Sequence, residues 1–297
     1  MSTIPDGLKA ELEQALENCD RGSRILDARP VHGGCIHRSC QLITDRKNYF
    51  LKWNSKIQAG VFKTEVQGLE LLRQTGTVRI PQVYAVKEAP AGIPSFILME
   101  WIERKGAVDQ RVLGRQLAAM HKDNTASQFG LDHDNFIGST PQINTPQDDW
   151  VHFFREKRLQ PQIRLASQGG KMNSKRRSMA DKFCERVEEW IGELSHMPAL
   201  LHGDLWGGNL LGDEKGYPVL IDPAVYYGDR EADLAFTQMF GGFSDDFYQA
   251  YQEIYPLEAG YAIRFEIYNV YHILNHLNLF GESYGAQLDL ILNRLVG

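Results

Sequence analysis

At 297 residues, with 43% hydrophobic and 24% charged side chains, the chain has an ordinary globular composition and enough length for about two lobes with a substantial core. Its formal net charge of −6 argues against a general nucleic-acid binder, which needs a positive surface to release counterions. No stretch approaches the roughly 18 apolar residues of a membrane span, and the opening MSTIPDGLKAELEQALENCD lacks a basic segment followed by an apolar one, so neither a membrane segment nor a secretory signal is expected and the predicted location is cytoplasmic.

From Leu8 to Cys19 the apolar positions Leu8, Leu12, Ala15, Leu16 and Cys19 have the spacing of an amphipathic helix. A strand-like run, Ile25 to Val31, then leads into Gly33-Gly34. Cys40 to Thr44 and Tyr49 to Trp53 are joined by the polar Asp45 to Asn48 and predict a hairpin. Gly33 and Gly34 could let backbone N–H groups approach phosphate closely, although a plain hairpin turn would use the same residues. There is no G-x-x-x-x-G-K-[ST], so a Walker-type nucleotide loop is excluded. The four cysteines, Cys19, Cys35, Cys40 and Cys184, have neither C-x-x-C nor Cys/His spacing, which predicts free thiols and no zinc site.

Lys52 lies within an apolar strand, where an unpaired ammonium would be costly, so it needs an anion. Phe62 to Gln74 predicts a helix, with Glu65 as the expected partner and Glu70 as the competing glutamate. Val83 to Val86 and Phe96 to Trp101 resume strand character, the second apolar enough to be buried on both faces. In a kinase the backbone of such a last strand, here Met99, Glu100 and Ile102, faces the adenine; a core strand explains the same residues.

Beyond residue 102 the periodicity is mainly helical: Gly114 to His121, Trp150 to Ser167, Met179 to Leu194, Leu234 to Phe240 and two long segments towards the C-terminus. Lys175, Arg176 and Arg177 read as a solvated helix face. The predicted fold class is α+β, with a β-rich lobe over 1–102 and a mainly helical lobe over 103–297.

The chemistry concentrates in LHGDLWGGNLLGDEKGYPVLID, Leu201 to Asp222. Asp204 followed five positions later by Asn209 matches the kinase loop H-R-D-x-x-x-x-N, with Gly203 in place of the arginine; there the Asp receives the acceptor hydroxyl's proton and the Asn holds Mg²⁺. A turn at Gly212 to Gly216 separates two apolar runs, and Val219-Leu220-Ile221 reads as a buried strand that delivers Asp222, where a kinase keeps its second metal ligand. Mg²⁺ takes such hard oxygen ligands together with substrate phosphates. The layout is that of a phosphoryl-transfer site that uses ATP and Mg²⁺.

With these residues in place the chain resembles the fructosamine-3-kinase (ketosamine-3-kinase) family, a branch of the aminoglycoside and choline phosphotransferase group with a two-lobe protein-kinase-like fold. The resemblance runs over nearly the whole chain and is most specific at LHGDLWGGN (201–209), IDPAVYYGDREADLA (221–235) and YHILNHLNLFGESYG (271–285). FGLDHDNFIGSTPQINTPQDDWVHFFREKRL (129–159) is similar too, although Pro146 and Gln147 stand where a tryptophan is more usual. The resemblance implies Asp204 as catalytic base, Asn209 and Asp222 as Mg²⁺ ligands, and Lys52 with Glu65 as the phosphate-positioning pair. It places Trp206 at the sugar, makes Asn275 and His276 on the helix Tyr268 to Phe280 candidates for substrate contact, with core packing as the alternative for Trp206 and His276, and gives Asp233 the role of bracing the catalytic loop. Cys35 becomes a candidate redox switch, or else a small buried hydrophobe.

The implied activity is ATP-dependent phosphorylation of the 3-hydroxyl of a ketosamine, free or protein-bound, as a step in deglycation. The rival readings are a kinase for another small alcohol, such as an aminoglycoside or choline, and a nucleotide-binding pseudokinase scaffold. No sequence signal addresses the oligomeric state.

Overall fold

The structure, a computed structural model, describes residues 4–31, 36–88, 93–104, 106–192 and 197–297. The chain forms two compact units: Met1–Asp109 with Leu210–Asp222, and Gln110–Asn209 with Pro223–Gly297. This differs from a single boundary at 102/103 in that residues 210–222 return to the first unit.

In the first unit α1 (Asp6–Cys19) precedes β1 (Ile25–Pro30), β2 (Arg38–Thr44) and β3 (Asn48–Asn54); α2 (Val61–Gln74), β4 (Val83–Lys87) and β5 (Ser95–Glu100) follow. The strands form an antiparallel sheet in the order β1-β2-β3-β5-β4. Because side chains alternate across a strand, Tyr49, Leu51 and Trp53 face one side and Phe50, Lys52 and Asn54 the other. The first side joins Cys40, Leu42, Phe96 and Leu98 and is covered by Leu8, Leu12 and Leu16 of α1. The N-terminal helix therefore seals one face and leaves the Lys52 face for other use.

The return of residues 210–222 has a packing cause. β9 (Leu210–Gly212) and β10 (Pro218–Leu220) form a hairpin whose Leu211 and Val219 make a small core with Ile102, joined by Ile221. Arg79 fastens it, donating to Asp213 in the hairpin turn and to Glu100 at the end of β5, each at 2.5 Å.

The second unit is mainly helical: α3 (Gln110–Asp123), α4 (Trp150–Phe153), α5 (Gln160–Gln168), α6 (Ser174–Ile191), α7 (Glu231–Met239), α8 (Asp245–Ile254), α9 (Tyr261–Phe280) and α10 (Gly285–Val296). It also holds the hairpin β6 (Asn135–Ile137) with β7 (Thr140–Gln142), and the pair β8 (Ala199–Leu201) with β11 (Tyr226–Gly228). The run expected as one helix from Trp150 to Ser167 contains a π-helical stretch, Phe154–Leu159. Pro161 cannot donate to the carbonyl of Lys157 four residues back, and the guanidinium of Arg158 takes that carbonyl instead at 3.2 Å. Three helices, not two, end the chain, with Gly281 at φ 94° separating the last pair.

Arg176 corrects the solvated-face expectation. Lys175 and Arg177 are exposed, but Arg176 is buried and donates to Glu282, Asp289 and the carbonyl of Lys171. Charge periodicity on α6 could not reveal this, because both acidic partners lie more than a hundred residues downstream.

Candidate active site

The residues expected to handle phosphate are assembled in the first unit. Lys52 Nζ donates to both carboxylate oxygens of Glu65 at 2.9 Å and to Asp222 Oδ1 at 3.0 Å. Glu70 is instead engaged by Arg73 on the helix surface, so the competition between the two glutamates is settled in favour of Glu65. Burial opposes the Lys52 ammonium, but Asp222 and Glu65 outweigh it and raise its pKa above the ordinary value. Burial, with the Asp222 carboxylate, pushes Glu65 up despite that ammonium.

Asp222 has φ 53°, the only positive φ outside glycine among the described residues. Such a conformation costs energy in most residues and is best tolerated by Asp and Asn, and it aims the carboxylate at the Lys52 face. The same face carries an open pocket. Val31, Phe50, Met99, Ile102, Leu211 and Ile221 give it apolar walls, and Glu100, Arg104 and Asp222 also line it. Met99, Glu100 and Ile102 thus come together with Asp222. Gly33, Gly34 and Cys35 lie outside the described residues.

The residues expected to form the catalytic loop, Asp204 to Asn209, belong to the second unit. Asp233 on α7 accepts from the backbone N–H of His202 at 2.7 Å and of Gly203 at 2.8 Å, and pairs with His121 Nε2 at 3.2 Å. These N–H donors, His121 first, hold its carboxyl below the ordinary value although burial alone would raise it. Asp233 therefore braces the loop, as expected. His121, which the sequence reading missed, is fixed in turn by the Tyr251 hydroxyl at 2.9 Å. Only its helical surroundings were visible in the sequence, and those suit any core histidine.

The glycines in the loop have steric causes. A Cβ on Gly203, at φ 80°, would lie 2.0 Å from the carbonyl oxygen of Ala224, so the kinase arginine cannot occupy this position. A Cβ on Gly208 would lie 2.3 Å from the ring of Trp206. Asn209 donates its amide to the backbone oxygen of Asp204 at 2.8 Å and to Oδ2 at 2.9 Å. The amide oxygen is the atom of Asn209 whose chemistry suits a hard cation. A carboxylate and an amide oxygen are each the kind of hard donor Mg²⁺ takes alongside phosphate, and Asp222 in the first unit and Asn209 in the second each carry one. No group of three or more His, Cys, Asp or Glu side chains among the described residues forms a metal cage.

Trp206 is half-buried, with its ring edge-on to Phe240 at 5.7 Å; Phe240 lies 5.1 Å from His276. His276 Nδ1 bonds the carbonyl of His272 at 2.8 Å, and burial lowers the pKa of its ring. Asn275 is buried and accepts from Gln162 at 3.2 Å, on a different side of α9 from this aromatic row. Trp206 and His276 thus belong to one cluster, and Asn275 to the helix interface with α5.

The fructosamine kinase profile matches residues 8–297. An Enterococcus faecium protein named "Probable ketoamine kinase" is 44% identical over 263 residues, covering 89% of this chain and 93% of its own length. An Arabidopsis thaliana protein named "Protein-ribulosamine 3-kinase, chloroplastic" is 41% identical over 278 residues, covering 92% of this chain and 83% of its own. Among solved structures, one described as "Putative fructosamine-3-kinase" from Haemophilus somnus superposes with a TM-score of 0.86 at 27% identity, covering 96% of each chain. An aminoglycoside phosphotransferase shares the fold, with a TM-score of 0.63 at 15% identity over 98% of this chain and all of the other. The protein-kinase-like fold and the match along almost the entire sequence make this chain a member of the fructosamine kinase family.

Proposed function

We propose that the protein is an ATP- and Mg²⁺-dependent kinase acting on the 3-hydroxyl of ketosamines such as fructosamines and ribulosamines, in the cytoplasm. The observation that carries this reading is the Lys52–Glu65–Asp222 cluster, the ion pair and metal-ligand aspartate that a phosphoryl-transfer site requires. Family membership and relatives named for ketoamines and ribulosamines support the choice of acceptor.

In this reading Asp204 orients the acceptor hydroxyl and takes its proton as the oxygen attacks the terminal phosphorus and the bond to the ADP oxygen breaks. Lys52, positioned by Glu65, offsets charge on the phosphates. Asn209 and Asp222 hold Mg²⁺, which when bound neutralises phosphate charge. Met99, Glu100 and Ile102 border the adenine, and Gly33 and Gly34 offer backbone N–H groups to the phosphates. Trp206 and His276 face the sugar, and Asn275 supports that wall from within. Phosphorylation at this position marks the sugar adduct for spontaneous loss from its amine.

A turnover assay with Mg·ATP and a panel of fructosamines, ribulosamines, aminoglycosides and choline tests the proposal. Phosphate transfer to the ketosamines above all others is the expected result. Preferred transfer to an aminoglycoside or choline would overturn the acceptor, and nucleotide binding without transfer to any acceptor would make the chain a scaffold.

A further inference from the structure

His37 is a polar residue on the phosphate face that the reaction described above does not use. Lys52 and Asn54 are two apart on β3 and so share one face of the sheet. Asn54 Nδ2 lies 3.2 Å from His37 Nδ1, which brings the imidazole to that face. The ring also packs against Phe62 of α2, at 5.0 Å between centroids. Phe62 lies three residues before Glu65 and hence on the same side of the helix. Two elements thus independently set His37 beside the Lys52–Glu65 pair.

Its tautomer is fixed by the surroundings. Asn54 Oδ1 accepts from the backbone N–H of Lys56 at 2.8 Å, and Nδ2 donates to the carbonyl of Ile36 at 3.2 Å, so the amide orientation is determined. The atom meeting His37 Nδ1 is therefore a donor, Nδ1 must accept, and the ring proton resides on Nε2. Burial, then the Lys52 ammonium, lowers the His37 pKa to about 4, with Asp222 opposing, so the ring is neutral at physiological pH.

We infer that His37 is a neutral Nε2–H donor to the phosphate chain of the nucleotide, a further binding residue resting on the kinase reading above. A neutral donor suits a site whose positive charge is already supplied by Lys52. It adds a directional hydrogen bond to phosphate without a second buried cation to desolvate.

Two measurements test this. In the nucleotide-free protein at neutral pH, imidazole ¹⁵N shifts should show His37 protonated at Nε2 alone; a proton on Nδ1 would overturn the inference. Calorimetry with Mg·AMP-PNP and with adenosine should then separate phosphate contact from general damage. His37→Gln, whose amide nitrogen reaches about as far as Nε2, should keep AMP-PNP affinity. His37→Asn and His37→Leu should lose roughly ten- to a hundredfold, the cost of one hydrogen bond to a charged group. Adenosine affinity should be the same in all four proteins. Unchanged AMP-PNP affinity in His37→Leu, or a parallel loss for adenosine, would overturn the assignment. Failure of the wild type itself to bind Mg·AMP-PNP would instead overturn the kinase reading, and the inference with it.

Discussion

Glu65 and Asp233 are both buried carboxylates, one in each unit, and their pKa values move in opposite directions. Glu65 relies on one ammonium that it shares with Asp222, so burial prevails and the pKa rises. Asp233 receives three N–H donors, two of them backbone groups, and these outweigh burial. A carboxylate held by the main chain is a permanent part of the fold. One held by a shared lysine belongs to a site that expects another anion. On the proposed kinase reading, the contrast separates the brace of the Asp204 loop from a pair that exchanges partners when phosphate arrives.

The most severe way to probe the braced side is at Asp204, the proposed base. Asp204→Asn should lower kcat by about 10²- to 10⁴-fold while AMP-PNP affinity is retained, since the base serves the acceptor and not the nucleotide; turnover within tenfold of wild type would remove Asp204 from that role. Asp233→Ala should lower stability by about 3 kcal/mol in chemical denaturation, because it orphans the N–H groups of His202 and Gly203 and the ring of His121. On the exchanging side, Asp222→Ala should weaken Mg²⁺-dependent AMP-PNP binding by at least about tenfold in calorimetry.

The smallest effect, and the sharpest test of the contrast, is in the pH dependence. Asp233 has a folded-state pKa below its ordinary 3.8, so its stabilisation is present above that pH and is lost as pH falls through the folded value. Glu65 has a folded-state pKa above its ordinary 4.5, so its contribution is full below 4.5 and is lost as pH rises through the folded value. The stability difference between wild type and Asp233→Ala should therefore shrink in acid. That between wild type and Glu65→Gln should become less favourable to wild type as pH rises. Parallel profiles would mean that the two carboxylates are held in the same way.

Much of this arrangement could be read from local pattern. The β2–β3 hairpin, Lys52 and the helix carrying Glu65 follow from strand alternation, a turn of polar residues and the cost of burying an ammonium. Asp204, Asn209 and Asp222 stood out by their spacing as a candidate base and two candidate metal ligands. What escaped depends on partners distant in sequence. Nothing near Arg176 announces Glu282 and Asp289, and nothing near His121 announces Asp233. The division of the 22-residue motif between two units is equally hidden, because the affinity of Leu210–Asp222 for Ile102 and Arg79 is a matter of packing and one bridging guanidinium.

Gly203 also bears on regulation. Activation by loop phosphorylation in protein kinases works through newly formed arginine–phosphate pairs. Here the residue before Asp204 has no side chain, and the carbonyl of Ala224 leaves no room for one. At position 203, then, there is no cation through which a phosphorylated segment could pull on the loop.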